Sequence, residues 1–302
     1  MTGKVADIWT AGVFVRVFLN PRLRPRARRA VASIFYNFFF CQYRAALLRR
    51  EPVSRVDHPL DEKIPFSPAW IKIYLDFVAF WVRTLGFLLK NLGRRGEEEA
   101  GGFLDSMGRL YAFAGEIYRK NLSTTRRPFY IRGFRFLLIH LFDPHLMCIP
   151  SLHVMVVILT YTRFASTVRA LDTGAAFSPQ VRELRRGALA ITEAILYVKQ
   201  HSVNCVAAAM YAMTCFDRDR FPPEEAERFV SGLFSAGDEA EGPAAGLPGI
   251  GGEAGEAVRS HIRGLYRHFL SQGETTPEGA PEGGWTRPLL DFLASAPPAH
   301  KK

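Results

Sequence analysis

The chain of 302 residues is 48% hydrophobic and carries a net charge of +10. That apolar fraction is enough for a sizeable core, and the charge favours anionic partners such as phospholipid surfaces, phosphate esters or nucleic acid. The four cysteines have neither CxxC spacing nor a cluster with histidine, which excludes a zinc site and a disulfide scaffold and predicts reduced, buried thiols.

The first predicted element is an aromatic helix. Residues 1–30 end in a run of arginines broken by two prolines, and residues 31–48 are apolar and aromatic with Arg44 as their only charge. Basic residues beside an aromatic segment are typical of a helix that lies in a membrane interface. A core helix followed by a solvated charge run explains the pattern equally well, and the sequence leaves both interpretations open.

The next apolar block covers residues 66–92, but four charges interrupt it. A lipid-exposed span rarely tolerates so many charges, so we expect this block to face other helices or to lie along a membrane surface. Residues 93–102 contain two arginines and three successive glutamates, a pattern that predicts an exposed linker. Residues 103–121 show helical periodicity.

The chain is richest in apolar residues between positions 128 and 216. Helices are expected there over residues 129–142, 151–165 and 187–216, the last as one long helix or as two. Residues 144–162 and 200–216 contain no Asp, Glu, Lys or Arg. They are the best candidates for membrane spans, although each is short or contains proline and histidine.

The composition changes after residue 217, because Gly, Ala, Glu and Pro dominate residues 236–256 and 273–284. We expect most of this tail to be weakly ordered. Short amphipathic helices are predicted within it over residues 257–270 and 285–293.

Three short motifs follow one another in the apolar part of the chain. They are Lys120 with Arg127-Pro128, Pro150-Ser151-Leu152-His153, and Lys199-Gln200-His201 inside an apolar helical run. Lysine and arginine at a helix-to-loop boundary can hold two oxygens of a phosphate. Pro-Ser before an apolar stretch predicts a helix N-terminus, where free N–H groups and the helix dipole attract an anion.

Each motif alone has a commoner explanation, since basic sets are usually solvated and most capped helices bind nothing. A lone histidine such as His153 or His201 is also more often a hydrogen-bonded core residue. Together, however, the motifs supply the parts of phosphate ester cleavage. One neutral imidazole attacks phosphorus, a protonated imidazole donates to the leaving alcohol, and cations offset charge on the equatorial oxygens.

This arrangement resembles the three-part signature of the type 2 phosphatidic acid phosphatase superfamily, which includes lipid phosphatases, bacterial acid phosphatases and haloperoxidases. The resemblance covers residues 120–216. The Pro-Ser-Leu-His motif, with Leu152 where many members have glycine, is similar to the branch of inositol phosphorylceramide synthases and related bacterial membrane proteins. The Lys-Gln-His motif is similar to the third motif of the same branch.

The resemblance implies an all-α, membrane-associated helical bundle of the phosphatidic acid phosphatase and haloperoxidase type. It implies that His201 is the nucleophile and His153 the general acid. It further implies that Lys120, Arg127 and Ser151 hold the phosphate, helped by a backbone N–H, and that no metal or other cofactor takes part. The chain then divides into a basic segment (1–30), a helical phosphatase-like domain (31–216, with the motifs within 120–205) and the tail (217–302).

Two departures from the family pattern concern the nucleophile. Cys205 stands where the family has an aspartate four residues after the histidine, and Ala194 and Ile195 stand where serine and arginine are common. Loss of the carboxylate that holds the imidazole tautomer can cost orders of magnitude in rate. Candidates to replace the missing groups are Asn204, Glu193 and Asp143 for the carboxylate and Lys199 for the arginine.

We therefore expect a phosphatase or phosphotransferase that acts on lipid phosphate esters through a phosphohistidine, located at a membrane on the cytoplasmic side or in the inner membrane. The alternative is a catalytically degenerate relative that binds lipid or a membrane partner, an interpretation that Cys205 favours. No nucleic-acid partner is expected, because the arginine run lacks interleaved aromatics and a recognition motif.

Overall fold

A computed structural model describes residues 3–48, 53–130, 132–235, 243–274 and 284–299 of the chain. Helix accounts for 72% of the structure and strand for 3%, so the prediction of an all-α fold is confirmed. In the described ranges all four cysteines are free thiols, and Cys148 and Cys205 are buried while Cys215 is exposed.

The α-helices are α1 (Thr10–Leu19), α2 (Arg24–Ile34), α3 (Cys41–Leu48), α4 (Ile71–Leu75), α5 (Phe77–Asn91), α6 (Gly93–Tyr118), α7 (Phe134–Phe142), α8 (Leu152–Ala170), α9 (Ser178–Tyr197), α10 (Val203–Phe216), α11 (Pro223–Gly232), α12 (Gly252–Glu274) and α13 (Arg287–Ser295). A π-helical turn, Phe35–Phe40, joins α2 to α3, so residues 24–48 form one continuous helix. Two short strands, β1 (Val53–Arg55) and β2 (Leu122–Thr124), pair in parallel.

Helices α8 and α10 lie in the core. Helices α5, α6 and α9 pack around α8, while α10 contacts both α8 and α12. A helix that is apolar on all sides is normally buried on all sides. Packing against other helices thus explains the charge-free runs of residues 144–162 and 200–216, which contribute a loop and these two core helices. In the described parts of the chain, no helix has both the length and the apolarity that crossing a membrane requires.

The predicted linker over residues 93–102 is wrong, because α6 begins at Gly93 and continues through it. Three glycines of this segment permit close packing of other chain segments on α6: Gly96 faces Leu88, Gly101 faces Arg26 of α2 and Gly102 faces Arg163 of α8. A Cβ atom at Gly101 would lie 2.6 Å from a guanidinium nitrogen of Arg26. The glycines that allow other helices to approach α6 give this segment the composition of a linker, and the sequence prediction was wrong for that reason.

The predicted apolar run over residues 187–216 is two helices, and the third motif lies in the turn between them. Lys199 has a left-handed conformation, with φ of 56°. The N–H groups of Lys199 and Gln200 donate to carbonyls of the last turn of α9, which is the pattern of a Schellman cap. The expectation that His201 lies inside a helix is therefore wrong.

The tail is more closely integrated than its composition predicts. Helix α12 extends the expected amphipathic helix at both ends and buries Val258, Ile262, Tyr266 and Phe269, and it packs on α10. The sequence predicted the apolar face of this helix. It did not predict that the helix packs on the core, because the flanking segments rich in Gly and Pro are typical of a weakly ordered tail. Residues 236–242 and 275–283 lie outside the described residues.

Candidate active site

The two histidines of the sequence motifs meet inside the protein. Nε2 of His201 lies 3.3 Å from Nδ1 of His153, across 48 residues of sequence. The His201 side chain is buried and His153 is partly buried, with its ring stacked on Tyr74 and inclined against Phe77. The fold thus brings the second and third motifs into one site.

A well-anchored turn positions His201. The ammonium of Lys199 donates to the backbone carbonyls of Asp61 and Ile64, which holds the left-handed cap of α9 against the preceding loop. Lys199 does not line the cavity beside the histidines. In this structure its role is to fix the turn, and it does not replace the missing arginine.

Cys205 also belongs to the turn. Its Sγ accepts a hydrogen bond from the N–H of Ser202 at 3.4 Å, which completes the capping box at the start of α10. Burial raises the pKa of the Cys205 thiol well above its usual range, so it stays protonated at neutral pH. Within the described residues Nδ1 of His201 has no hydrogen-bond partner, as expected where an orienting carboxylate is missing.

Of the three candidates for that carboxylate, only Asp143 reaches the cavity. The amide oxygen of Asn204 lies 2.8 Å from Nε2 of His261. A carboxylate oxygen of Glu193 accepts the N–H of Phe234 at 2.7 Å. Asn204 and Glu193 therefore support α12 and the chain after α11.

Asp143 is the charged residue that lines the cavity, and Arg127 pairs with it from outside the cavity lining. One Asp143 oxygen accepts the N–H of His145 at 2.9 Å and the amide of Gln42 at 3.1 Å. The other oxygen lies 3.5 Å from Nη1 of Arg127. Arg127 also donates to the Gln200 side chain at 2.9 Å and to the Asp143 carbonyl at 3.0 Å. Arg127 is thus linked to the residue before His201, but a phosphate must displace some of these bonds to reach it.

His145 is a buried third histidine that the sequence analysis missed. Its Nε2 lies 2.8 Å from the hydroxyl oxygen of Thr125, and its ring centroid lies 6.4 Å from that of His201. The sequence feature that pointed to His145 was its position in a charge-free segment five residues before Pro150 of the Pro-Ser motif. Because His145 belongs to no family motif, that signal was too weak to single it out.

Ser151 begins α8, as the sequence predicts, but it does not cap the helix through its side chain. Its hydroxyl oxygen is buried, and it has no hydrogen-bond partner in the part of the chain that the structure describes. The preceding turn is held by Ser123, whose hydroxyl accepts the N–H of Ile149 at 2.9 Å. Ser151 itself does not line the cavity beside the histidines, although its neighbour Leu152 does.

Lys120 is the predicted phosphate contact that the fold leaves outside the site. It is exposed at the end of α6 and does not line the cavity beside the histidines. A lysine followed seven residues later by Arg127 fits the first motif in sequence. The strand β2 lies between them, however, so their spacing along the chain does not bring both side chains to the cavity.

The cavity itself has a volume of about 20 Å³, roughly the space that one water molecule needs. Its wall includes the three histidines and Asp143, and Phe38 and Gln42 from the helix over residues 24–48. A phosphoryl group carries several heavy atoms and needs more room. The cavity would admit such a group only after movement of this helix, of the loop that holds Asp143, or of the two imidazoles.

Burial keeps the imidazoles neutral. It lowers the pKa of His153 to about 4 and lowers the pKa of His201 well below its usual range, and the neighbouring histidines lower the His201 pKa further. Asp143 acts in the opposite direction on both. A neutral His201 suits a nucleophile. His153 must gain a proton to act as an acid, and a bound phosphate dianion would favour that.

Within the described residues, no group of three or more His, Cys, Asp or Glu side chains has the arrangement of a metal site. Comparison with family models, curated proteins and solved structures finds no significant match to this chain. The superfamily resemblance therefore depends on the three motifs themselves.

We predict that the free energy of unfolding falls as the pH drops from about 6.5 to about 4, in part because of His153. The unfolded imidazole takes up a proton in this window and the folded one, with its pKa of about 4, does not. The contribution is up to roughly 3 kcal/mol. Urea unfolding of wild type and of His153→Phe, which keeps the aromatic stacking, measures it. The free energy of unfolding should depend less steeply on pH in the variant than in wild type. Equal slopes for the two proteins would contradict the lowered pKa of His153.

Proposed function

We propose that this chain is a phosphatase or phosphotransferase that acts on lipid phosphate esters through a phosphohistidine at His201. The contact between His201 and His153 carries this proposal. Nε2 of His201 faces another imidazole, and among the described residues Nδ1 has no partner with hydrogen-bond geometry, although the backbone of Cys148 interacts with this ring. Leaving a buried polar atom unsatisfied costs about 1–3 kcal/mol, and a ligand at the site would offset that cost.

The reaction would proceed by two displacements at phosphorus. The lone pair on Nε2 of His201 attacks phosphorus, the ester P–O bond breaks, and His153 gives its proton to the leaving alkoxide. Water or an alcohol then loses a proton to His153 and attacks the phosphohistidine, which releases His201. In-line geometry needs the phosphoryl group between the two rings, so their 3.3 Å contact opens on binding.

The phosphoryl oxygens have two candidate partners at the site. Arg127 supplies a planar guanidinium that would exchange its bonds to Gln200 and the Asp143 carbonyl for bonds to oxygen. The unsatisfied hydroxyl of Ser151 and the first N–H groups of α8 supply neutral donors. The lipid class of substrate is favoured by the net charge of +10 and by the exposed apolar side chains of several helices.

Substitution of the two histidines should separate their roles. We expect His201→Ala to abolish phosphate release from every ester. His153→Ala should slow alkyl and lipid phosphates by about 10²–10⁴-fold, and p-nitrophenyl phosphate much less, because nitrophenolate leaves without a proton. The kcat/KM of each variant of the purified chain, which reports on the steps up to departure of the leaving group, measures both effects.

The control is His261→Gln, which removes a histidine whose hydrogen bond to Asn204 lies away from the cavity. Its release should match wild type. Equal losses of His153→Ala on both ester classes would contradict its role as the acid. Full activity of His201→Ala would contradict the nucleophile.

The second candidate function is a catalytically degenerate relative that binds lipid or a membrane partner. Cys205 favours it, since this side chain completes a helix cap and contributes no carboxylate to His201. If the site works as we propose, Cys205→Asp should change phosphate release by less than about tenfold, because Cys205 bonds to the cap and lies outside the cavity lining. Cys205→Ser is the matched control.

Two outcomes of the same assay would favour the degenerate relative. One is wild-type protein that releases no phosphate and that neither Cys205→Asp nor Ile195→Arg revives. The other is strong activation by Cys205→Asp alone, which would mean that the native thiol has silenced the site.

A further inference from the structure

The continuous helix over residues 24–48 has two unlike halves on its exposed side. Its first half, α2, presents arginines to solvent. Its second half presents large apolar side chains, and we call six of these, which are 37–81% exposed, the aromatic surface: Phe35, Tyr36, Phe39, Phe40, Tyr43 and Leu47. Contiguous exposed apolar side chains of this size usually mark an interaction site.

The aromatic surface lies on a helix that is firmly packed on its other side. Ala27 and Ala30 of α2 and Asn37 of the π-helical turn are buried, and α2 makes extensive contact with α6. Neighbouring rings contact one another along the helix: Tyr36 stacks on Phe40 with a centroid distance of 5.7 Å, and Phe35 lies tilted against Phe39 at 6.3 Å. The rings therefore form a pre-ordered surface.

Helix α7 also presents apolar side chains to solvent. Its side chains Phe134 and Leu141 are 72% and 68% exposed. The loop directly after α7 meets the long helix where Asp143 accepts a hydrogen bond from Gln42 at 3.1 Å. Two helices thus present apolar side chains to solvent from neighbouring positions.

The charges around these helices identify the kind of partner. Residues 24–48 contain five arginines and residues 126–142 contain four, and neither segment contains Asp or Glu. Arg44, Arg132 and Arg135 are exposed. Aromatic rings at the headgroup boundary with arginines that reach lipid phosphates are the features of an interfacial helix on an anionic membrane. A second copy of the chain would bring these like charges together across a two-fold interface.

We propose that the aromatic surface and α7 dock on an anionic phospholipid bilayer, with the long helix lying in the plane of the interface. The consequence for catalysis rests on the proposed function. Phe38 and Gln42, on the inner side of the same helix, line the histidine cavity. A bilayer on its outer side would bring lipid headgroups beside the cavity, and a small movement of this helix would open it.

The test is flotation of the purified full chain with vesicles of phosphatidylcholine, with and without phosphatidylserine. Wild type should bind the phosphatidylserine vesicles, and added salt should weaken the binding. Phe35→Ser/Phe40→Ser should reduce affinity by about tenfold or more. Arg28→Gln/Arg44→Gln should reduce the affinity for vesicles that contain phosphatidylserine roughly tenfold and leave the affinity for pure phosphatidylcholine vesicles unchanged.

The matched control for charge is Arg169→Gln/Arg182→Gln. These exposed arginines lie near the far ends of α8 and α9 from the histidine turn, and binding should match wild type. Circular dichroism verifies that each variant is folded. Release of phosphate from p-nitrophenyl phosphate, which needs no membrane, should be unchanged in all three double variants.

Absence of wild-type binding to either vesicle would overturn the proposal. So would a wild-type dimer in solution that Phe35→Ser/Phe40→Ser converts to a monomer, because a second copy would then cover the aromatic surface. His201→Ala separates this proposal from the catalytic one, since it should bind vesicles as wild type does. Vesicle binding by a wild-type chain that releases no phosphate would support the docking surface and contradict the proposed phosphatase or phosphotransferase activity.

Discussion

The contact between His153 and His201 is the interaction on which the rest of the site depends. It requires α8 and the turn before α10 to be fixed independently. Hydrogen bonds from the 147–149 segment to Ser123 hold the approach to α8, and the Lys199 ammonium together with the Schellman cap of α9 holds the turn. The parallel strand pair is small, but it links the first of these supports, through β2, to β1.

Burial of that contact determines its electrostatics. The neutral imidazoles, with pKa values lowered by burial, share their cavity with Asp143, whose charge is balanced by Arg127. A phosphate dianion would enter a site with little net charge of its own and would draw a proton onto His153 and the guanidinium toward itself. Affinity for the anion would therefore come from rearranged partners and from the unsatisfied Ser151 hydroxyl.

The sequence was sufficient for those features that depend on local pattern. The helical class, the start of α8 directly after Pro150-Ser151 and the amphipathic helix within the tail follow from periodicity and from residues typical of helix ends. The sequence was insufficient for features that depend on packing between residues far apart in the chain. The glycines before residue 103 permit helix contact, a left-handed lysine ends α9, and His145 reaches the cavity from a loop. Lys120 matched a motif in spacing, yet the intervening strand directs it to solvent.

The most direct test of the central claim is to trap the phosphoryl group on the protein. The full chain would be incubated with a ³²P-labelled lipid phosphate and quenched in alkali, in which phosphohistidine survives, and the label would be mapped by mass spectrometry. We expect label on His201 in the wild-type chain and none in His201→Ala. Turnover with no label on His201, or label on another residue, would contradict it.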